Sequence, residues 1–451
     1  MFRKKFGDDE RVGRACGLER GLDVVPEGEG AIAVDRRTVT KSAVPAAAAL
    51  LAGGGVAQAR PAQAEAAQAE AAQAEAADDV TVRLPAPTGP HRIGVTTLHL
   101  VDRSRRDPWE PEIPVREVMV SVFYPARTVR GCPVAPHMSE GAAELFTTLG
   151  PMGHPELPRA GVNWAATMTH SHADAPAQAV RRPVLLYSPG GGDPRAMGTG
   201  IAEELASHGY VVVSIDHPGD ASAVEFPHVM TGRDKVRPTV FRGDPRLDPK
   251  LSRTMIATRI ADTRFVLDQL EVLAAAGPNP DVEGHALPEH LGRALDLRRV
   301  GVYGHSAGGT TAAETMYDDR RVGAAVNLEG YLDYPPNKPG EEGMLLPIAR
   351  YGVDRPLLLL GTDGFPHRKV LERSWSAALA HSHGCTRRRQ LDGAAHGVFT
   401  DYAAIAPQLQ AAALMTADNR ITLVGPVAPE ESVPMVRSHV RSFFARHLPP
   451  L

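Results

Sequence analysis

The chain of 451 residues predicts an α/β fold: a mostly parallel central sheet with helices on both faces and lid-like insertions. Three observations carry this. From Pro183 onward, short apolar runs of strand length alternate with stretches of helical period. The runs Pro183–Tyr187, Tyr210–Ile215, Val322–Leu328 and Pro356–Leu360 are nearly continuous in apolar residues, as strands buried on both faces are. Composition is ordinary for a globular protein, 43 % hydrophobic and 23 % charged. A net charge of −4 gives no basic footprint for nucleic acid. No apolar run reaches the roughly 18–20 residues of a membrane span. Cys16, Cys132 and Cys385 are too few for a disulfide scaffold or a four-cysteine zinc site.

Residues 1–79 differ from the rest. Asp35-Arg36-Arg37-Thr38-Val39-Thr40-Lys41, a weakly apolar stretch to Val56, and Ala57-Gln58-Ala59 have the layout of a secretory signal, here residues 1–59. The paired arginines resemble a twin-arginine export signal; an alanine-rich helix is the other reading. Ala62–Ala76 repeats Ala-Gln-Ala-Glu-Ala three times, which has nothing to bury, so 60–79 reads as a tether, disordered or a free helix. The domain, 80–451, holds 39 basic and 40 acidic residues, a balance without pull toward a charged macromolecule. Export would place Cys132 and Cys385 in an oxidising compartment, leaving open whether they pair.

Within the domain, Arg92–Asp102 and Glu117–Tyr124 read as opening strands, and Arg130–Arg182 as an irregular Pro/Gly/His-rich stretch. Pro183–Tyr187 is a buried strand followed by Ser188-Pro189-Gly190-Gly191-Gly192. Ala196–His208 is a helix stopped by Gly209. After the strand Tyr210–Ile215, Ala223–Pro249 reads as a polar insertion and Leu251–Ala276 as a long helix ended by Gly277-Pro278. Strand Arg299–Tyr303, helix Ala307–Tyr317, strands Val322–Leu328 and Pro356–Leu360, helix Arg368–His381, strand Arg387–Leu391 and helix Pro434–His447 complete the pattern. The two irregular stretches are placed over the site.

Ligands in such sheets bind beyond the carboxyl ends of the strands. There lies Gly304-His305-Ser306-Ala307-Gly308-Gly309, a G-x-S-x-G turn between strand and helix that lifts a serine above the sheet. A serine nucleophile needs a base oriented by an acid, in the chain order Ser, acid, His. His396, in Gly393-Ala394-Ala395-His396-Gly397 after the last short strand, is the base. Glu329, directly after Val322–Leu328, and Asp363, after Pro356–Leu360, both leave buried strands and both qualify as the acid. The oxyanion donors are assigned to the N–H groups of Ala307 and Gly191, with Gly192 the neighbour that competes for the second place.

Taken in order, Ser188–Gly192, Ala206-Ser207-His208-Gly209-Tyr210, Ile215-Asp216-His217, Gly304–Gly309 and Gly393–Phe399 look like the α/β-hydrolase fold. Within it the chain resembles the plasma-type platelet-activating-factor acetylhydrolases and their bacterial secreted relatives. The resemblance implies a secreted serine esterase of the lipase and acetylhydrolase kind, with no cofactor and no metal. It implies short-acyl, phospholipid-like esters as substrate and transient contact with a lipid surface. It also places the acid at Glu329, where the family usually has Asp. Oligomeric state stays open. A peptidase or amidase, a polyester hydrolase or lipase, and a non-catalytic binding protein on the same scaffold are the competing readings.

Overall fold

The computed structural model describes residues 79–450, apart from 230–232, 241–242 and 339. The signal and nearly all of the tether read from the sequence lie outside the described residues. Strands are β1 (Ile93–Asp102), β2 (Arg116–Pro125), β3 (Val134–Pro136), β4 (Met168–Ala173), β5 (Arg182–Ser188), β6 (Val211–Asp216), β7 (Ala223–Glu225), β8 (Val236–Pro238), β9 (Leu295–His305), β10 (Val322–Leu328), β11 (Leu357–Thr362) and β12 (Thr386–Leu391). All but the β7–β8 ribbon form one sheet, in the order β12-β11-β10-β9-β5-β6-β2-β1-β4-β3. The run from β6 to β12 is parallel; β2 joins it antiparallel to β6. The chain passes from β5 outward to β6 and then returns to β9 on the other side of β5. That reversal opens a crevice above the carboxyl ends of β5 and β9.

The helices are α1 (Glu140–Gly153), α2 (Thr199–Ser207), α3 (Pro249–Ala274), α4 (Leu291–Ala294), α5 (Ala307–Asp318), α6 (Pro347–Tyr351), α7 (Arg368–His381), α8 (Tyr402–Ala411), α9 (Ala417–Val424) and α10 (Pro429–His447). Alternation along the strands sorts the core onto two faces. Leu186, Val213 and Val302 pack with Val266 and Leu270 of α3 and Ala312 of α5. Leu185, Val212 and Tyr303 pack with Leu205 of α2 and Phe444 of α10. The Tyr303 ring lies 4.9 Å from Tyr187 and 6.1 Å from Phe444, and truncating Phe444 there would cost about 3–5 kcal/mol. Helix α3, which supplies groups beneath the site, begins on a strong cap: Asp248 accepts from Lys250 N (2.8 Å) and Leu251 N (3.0 Å), with Pro249 first in the helix.

Two expectations need correction, and one open question closes. The stretch 130–182 is ordered: it adds β4 and β3 to the sheet edge and builds α1. Its Gly150 and Pro151 lie in the last turn of α1, and Phe146 packs edge-on to Trp164 at 5.1 Å. Helix α10 starts five residues before Pro434, at Pro429, with Glu430 and Glu431 in the first turn and Arg446 and His447 in the last, each favourable to the helix dipole. Cys132 is a free thiol and does not pair with Cys385. Cys132 leads into β3 and Cys385 into β12, the opposite edges of the sheet, where strand spacing of about 4.8 Å keeps them tens of ångströms apart.

Candidate active site

Ser306 sits alone between the end of β9 and the start of α5. Its φ is 55° and ψ −119°, a conformation that a residue with a side chain holds only under constraint. The constraint is visible. Ser306 N donates to Leu328 O (2.8 Å) and Thr310 N to Ser306 O (3.1 Å). A Cβ on Gly304 would stand 2.2 Å from Gly308 O, and one on Gly308 only 1.9 Å from Ser188 O. Only glycine fits at either place, so the turn is pressed against β5. Ser306 is half-buried, and its hydroxyl forms no hydrogen bond among the described residues.

Glu329 directly follows β10 and also has a positive φ, 60°. Asn327 closes the turn around it, accepting from Gly330 N (2.6 Å) and donating to Gly330 O (3.0 Å). Trp375 Nε1 donates to the same carbonyl (2.9 Å). The Glu329 carboxylate is buried and receives Thr362 N and Thr362 Oγ1 on Oε1, the latter at 2.7 Å. Its other oxygen, Oε2, lies 2.8 Å from His396 Nδ1. His396 opens a short 3-10 turn and is 29 % exposed. Its ring stacks on Phe365 at 4.8 Å and 29°, and meets the His305 ring at 4.4 Å. His305 Nε2 donates to His396 O (3.0 Å). Burial, then the nearby His396, holds His305 well below the usual histidine pKa.

Asp363 does not meet His396. It is exposed and accepts from Gly393 N (2.9 Å) and Ala394 N (3.2 Å), so it ties down the loop carrying the histidine.

The two oxyanion positions adjoin each other: a Cβ built on Gly191 would lie 3.6 Å from Ala307 Cβ. Gly192 is otherwise engaged, its N–H donating to Asp220 Oδ1 (3.3 Å) and its carbonyl accepting from Ser222 N (2.9 Å). Next in the loop, Asp193 is buried, 2.8 Å from His154 Nε2, and accepts from Tyr402 OH (3.2 Å). Against the pull of burial, Asp193 raises the His154 pKa. Met255, Ile256 and Ile260 form an apolar cluster with Trp109, Tyr334 and Ala307 at its edge, on the side where Gly191 approaches Met255.

Beneath the same loop lies a set of residues that sequence reasoning did not assign. Ser188 Oγ is 2.9 Å from His217 Nε2, and His217 Nδ1 is 3.1 Å from Asp262 Oδ2. All three are fully buried. Arg116 adds two contacts to Asp262, at 3.2 and 2.8 Å, and Arg259 lies against Ser188 and Asp220. The available signal was Arg259 and Asp262, charges one turn apart among apolar positions of a long helix. In the second irregular stretch Arg246 Nη2 donates to Asp244 (2.7 Å). A cavity of about 810 Å³ opens beside β6, β2 and β1, walled by Met119, Phe123, Ser214 and Arg195; Ser306 does not line it. Among the described residues no cluster of His, Cys, Asp and Glu could hold a metal ion, and no helix is long and apolar enough to cross a membrane.

A serine held at a strained strand-to-helix turn, with an acid after the next strand and a histidine after the last, on this strand order, defines an α/β-hydrolase. The comparisons narrow the class to carboxylic-ester hydrolases. The sequence model of platelet-activating factor acetylhydrolase, isoform II, matches residues 79–422, and the chain belongs to that family. A protein of Arthroderma benhamiae, described as a probable 1-alkyl-2-acetylglycerophosphocholine esterase, is 28 % identical over 382 residues, 80 % of this chain and 87 % of that one. The platelet-activating factor acetylhydrolase of Cavia porcellus is 24 % identical over 153 residues, 33 % of this chain and 35 % of its own. Among solved structures, a ferulic acid esterase from Streptomyces cinnamoneus is 33 % identical with a TM-score of 0.63, covering 81 % of this chain and 93 % of that one.

Proposed function

We propose that this chain is an exported esterase that cleaves short-acyl esters through Ser306, His396 and Glu329. The observation that carries the reading is the 2.8 Å contact between His396 Nδ1 and the buried Glu329 carboxylate, beside the serine at the turn. With Nδ1 held by Glu329, Nε2 is left to take the Ser306 proton as the hydroxyl attacks the acyl carbon. Glu329 fixes the ring and stabilises the imidazolium that forms. The N–H groups of Gly191 and Ala307 receive the oxyanion. Collapse expels the alcohol, which takes its proton from His396, and water repeats the sequence to release the acid. Ala307 and the cluster of Met255, Ile256, Trp109 and Tyr334 support an apolar acyl group.

Family membership supports short-acyl, phospholipid-like esters, met in solution or at a lipid surface. A second reading, hydroxycinnamoyl esters, is favoured by the likeness to the ferulic acid esterase and by the Phe365 and Tyr331 rings, 5.7 Å apart, beside His396. One panel separates them: p-nitrophenyl acetate through octanoate, a 2-acetyl ether phospholipid and methyl ferulate. The first reading expects kcat/KM to fall as the acyl chain lengthens and the 2-acetyl phospholipid to be turned over. Preference for methyl ferulate would replace it with the second. Hydrolysis of an anilide but not of these esters would make the chain an amidase. Export is supported by the leader pattern; replacing Arg36 and Arg37 with Lys should hold precursor in the cell, and unchanged secretion would discard the twin-arginine route.

A further inference from the structure

The loop Pro189–Gly192 carries the proposed oxyanion donor, yet three of its four residues are glycine and cannot hold their own shape. The loop closes one turn of its own, Asp193 N donating to Gly190 O (3.2 Å); the rest of its rigidity comes from below. Arg259, on α3, has no solvent exposure, and its donors are all occupied. Nε and Nη2 go to Asp220, the latter at 2.7 Å. Nη1 donates to Pro189 O (2.6 Å) and Ser188 Oγ (3.3 Å), and Nη2 also to Gly190 O (2.9 Å). One planar fork thus holds two successive loop carbonyls and the carboxylate that also takes Gly192 N.

Gly190 C=O and Gly191 N–H belong to the same trans peptide, where the two groups point in opposite directions. Turning the carbonyl down onto a buried guanidinium turns the N–H up, away from α3. Gly191 N has no acceptor among the described residues, and its Cα is the one that adjoins Ala307. We propose that Arg259 is a positioning residue for the oxyanion hole, setting the Gly190–Gly191 peptide so that Gly191 N–H faces the acyl oxygen. Arg259 touches no substrate. Asp220 holds the guanidinium in place, and the Asp262–His217–Ser188 chain backs it from the β5 side. Lysine cannot substitute, because its three donors radiate from one point and cannot span two carbonyls and a carboxylate.

The inference rests on the esterase reading of Ser306, and the test separates the two. Arg259→Lys and Asp220→Asn are compared with wild type for thermal unfolding, for kcat and KM on p-nitrophenyl acetate, and for inhibition by a methyl trifluoromethyl ketone, whose hemiketal oxyanion mimics the intermediate. Arg259→Lys should lower kcat about 10²–10³-fold, the scale of losing one oxyanion donor. KM should stay within threefold, and the ketone should weaken in proportion to the loss of kcat. Asp220→Asn, with the fork still present, should move the same quantities about tenfold. If Arg259→Lys does not fold, Asp220→Asn alone decides. Folded variants whose ketone affinity stays within threefold of wild type would overturn the proposal, whatever their stability. An active Ser306→Ala protein would instead overturn the esterase reading itself.

Discussion

Two serine–histidine–carboxylate constellations stand on neighbouring strands of this sheet. Ser306, His396 and Glu329 lie at its carboxyl edge; Ser188, His217 and Asp262 lie inside. They are close enough that Ser188 pairs in register with Gly304, two residues before Ser306. Their contacts are alike: carboxylate to Nδ1 at 2.8 Å in one and 3.1 Å in the other. The inner set even has the serine on Nε2 at 2.9 Å, while the Ser306 hydroxyl has no hydrogen bond among the described residues. Access and charge separate them. Ser188 has no solvent exposure, whereas Ser306 and His396 are half-buried. Asp262 is bonded to Arg116 and to Arg105 (3.1 Å); against the pull of burial, the Arg116 charge and then the His217 contact push its pKa far down. Burial, then the Arg259 charge, holds His217 below the ordinary histidine value. Glu329 has no arginine partner among the described residues; its company is Thr362 and His396. A carboxylate already neutralised by guanidinium has little left to stabilise an imidazolium. Hydrogen-bond geometry alone therefore does not mark a nucleophile.

Substitution at matched positions should pull the two sets apart. Ser306→Ala should remove about 10⁴–10⁶ of kcat on p-nitrophenyl acetate with an unchanged melting temperature. Ser188→Ala should keep kcat within about tenfold and lose roughly 1–3 kcal/mol of stability by leaving the buried His217 Nε2 without its partner. At the acids, Glu329→Gln should cost on the order of 10⁴ in kcat. Asp262→Ala should instead cost about 3 kcal/mol of stability, because buried Arg116 loses one of its two carboxylates and keeps only Asp107 (3.0 Å), readable as the shift of a urea midpoint. Equal kcat losses at Ser306 and Ser188 would erase the distinction.

Buried carboxylates without a cation should behave in the opposite sense to Asp262. Glu314 on α5 is buried, bonded among the described residues only to Ile348 N at 3.3 Å, and burial raises its pKa to about 8. The folded chain therefore keeps a proton that the unfolded chain releases near its ordinary value of 4.5. The resulting stability is complete below pH 4.5 and is lost as pH rises to about 8. Glu314→Gln should flatten that fall and be the more stable protein above pH 8, by up to a few kcal/mol; unfolding curves at pH 5 and 9 would show it. The smallest effect belongs to Asp363→Asn. Kinetics should stay within about threefold and stability within about 1 kcal/mol, since each lost contact is an exposed loop hydrogen bond.

The parallel strands and the turn at Ser306 were legible because each is written locally. Val322–Leu328 and Arg368–His381 match the observed elements residue for residue, one through continuous apolar character, the other through helical period. Chain order and strand ends brought out Glu329, His396, Gly191 and Ala307, and the structure sets Glu329 on His396 and Gly191 beside Ala307. The choice between Glu329 and Asp363 was not legible from the residues, because both follow buried strands and only their reach differs. Helix α1 was hidden by its Gly-Pro composition, overridden by the packing of Phe146 on Trp164. The Arg259 and His217 network was hidden because its members, from β5, the loop after β6, and α3, meet only in three dimensions.

Covalent labelling tests the central claim most directly. Wild-type protein is inactivated with phenylmethanesulfonyl fluoride, followed by activity and by intact mass, and the modified peptide is mapped. Activity should fall in step with the gain of one sulfonyl group per chain, all of it on Ser306, with Ser188 unmodified. Inactivation that tracks a label on Ser188 or any other serine, or full activity with Ser306 labelled, would contradict the account.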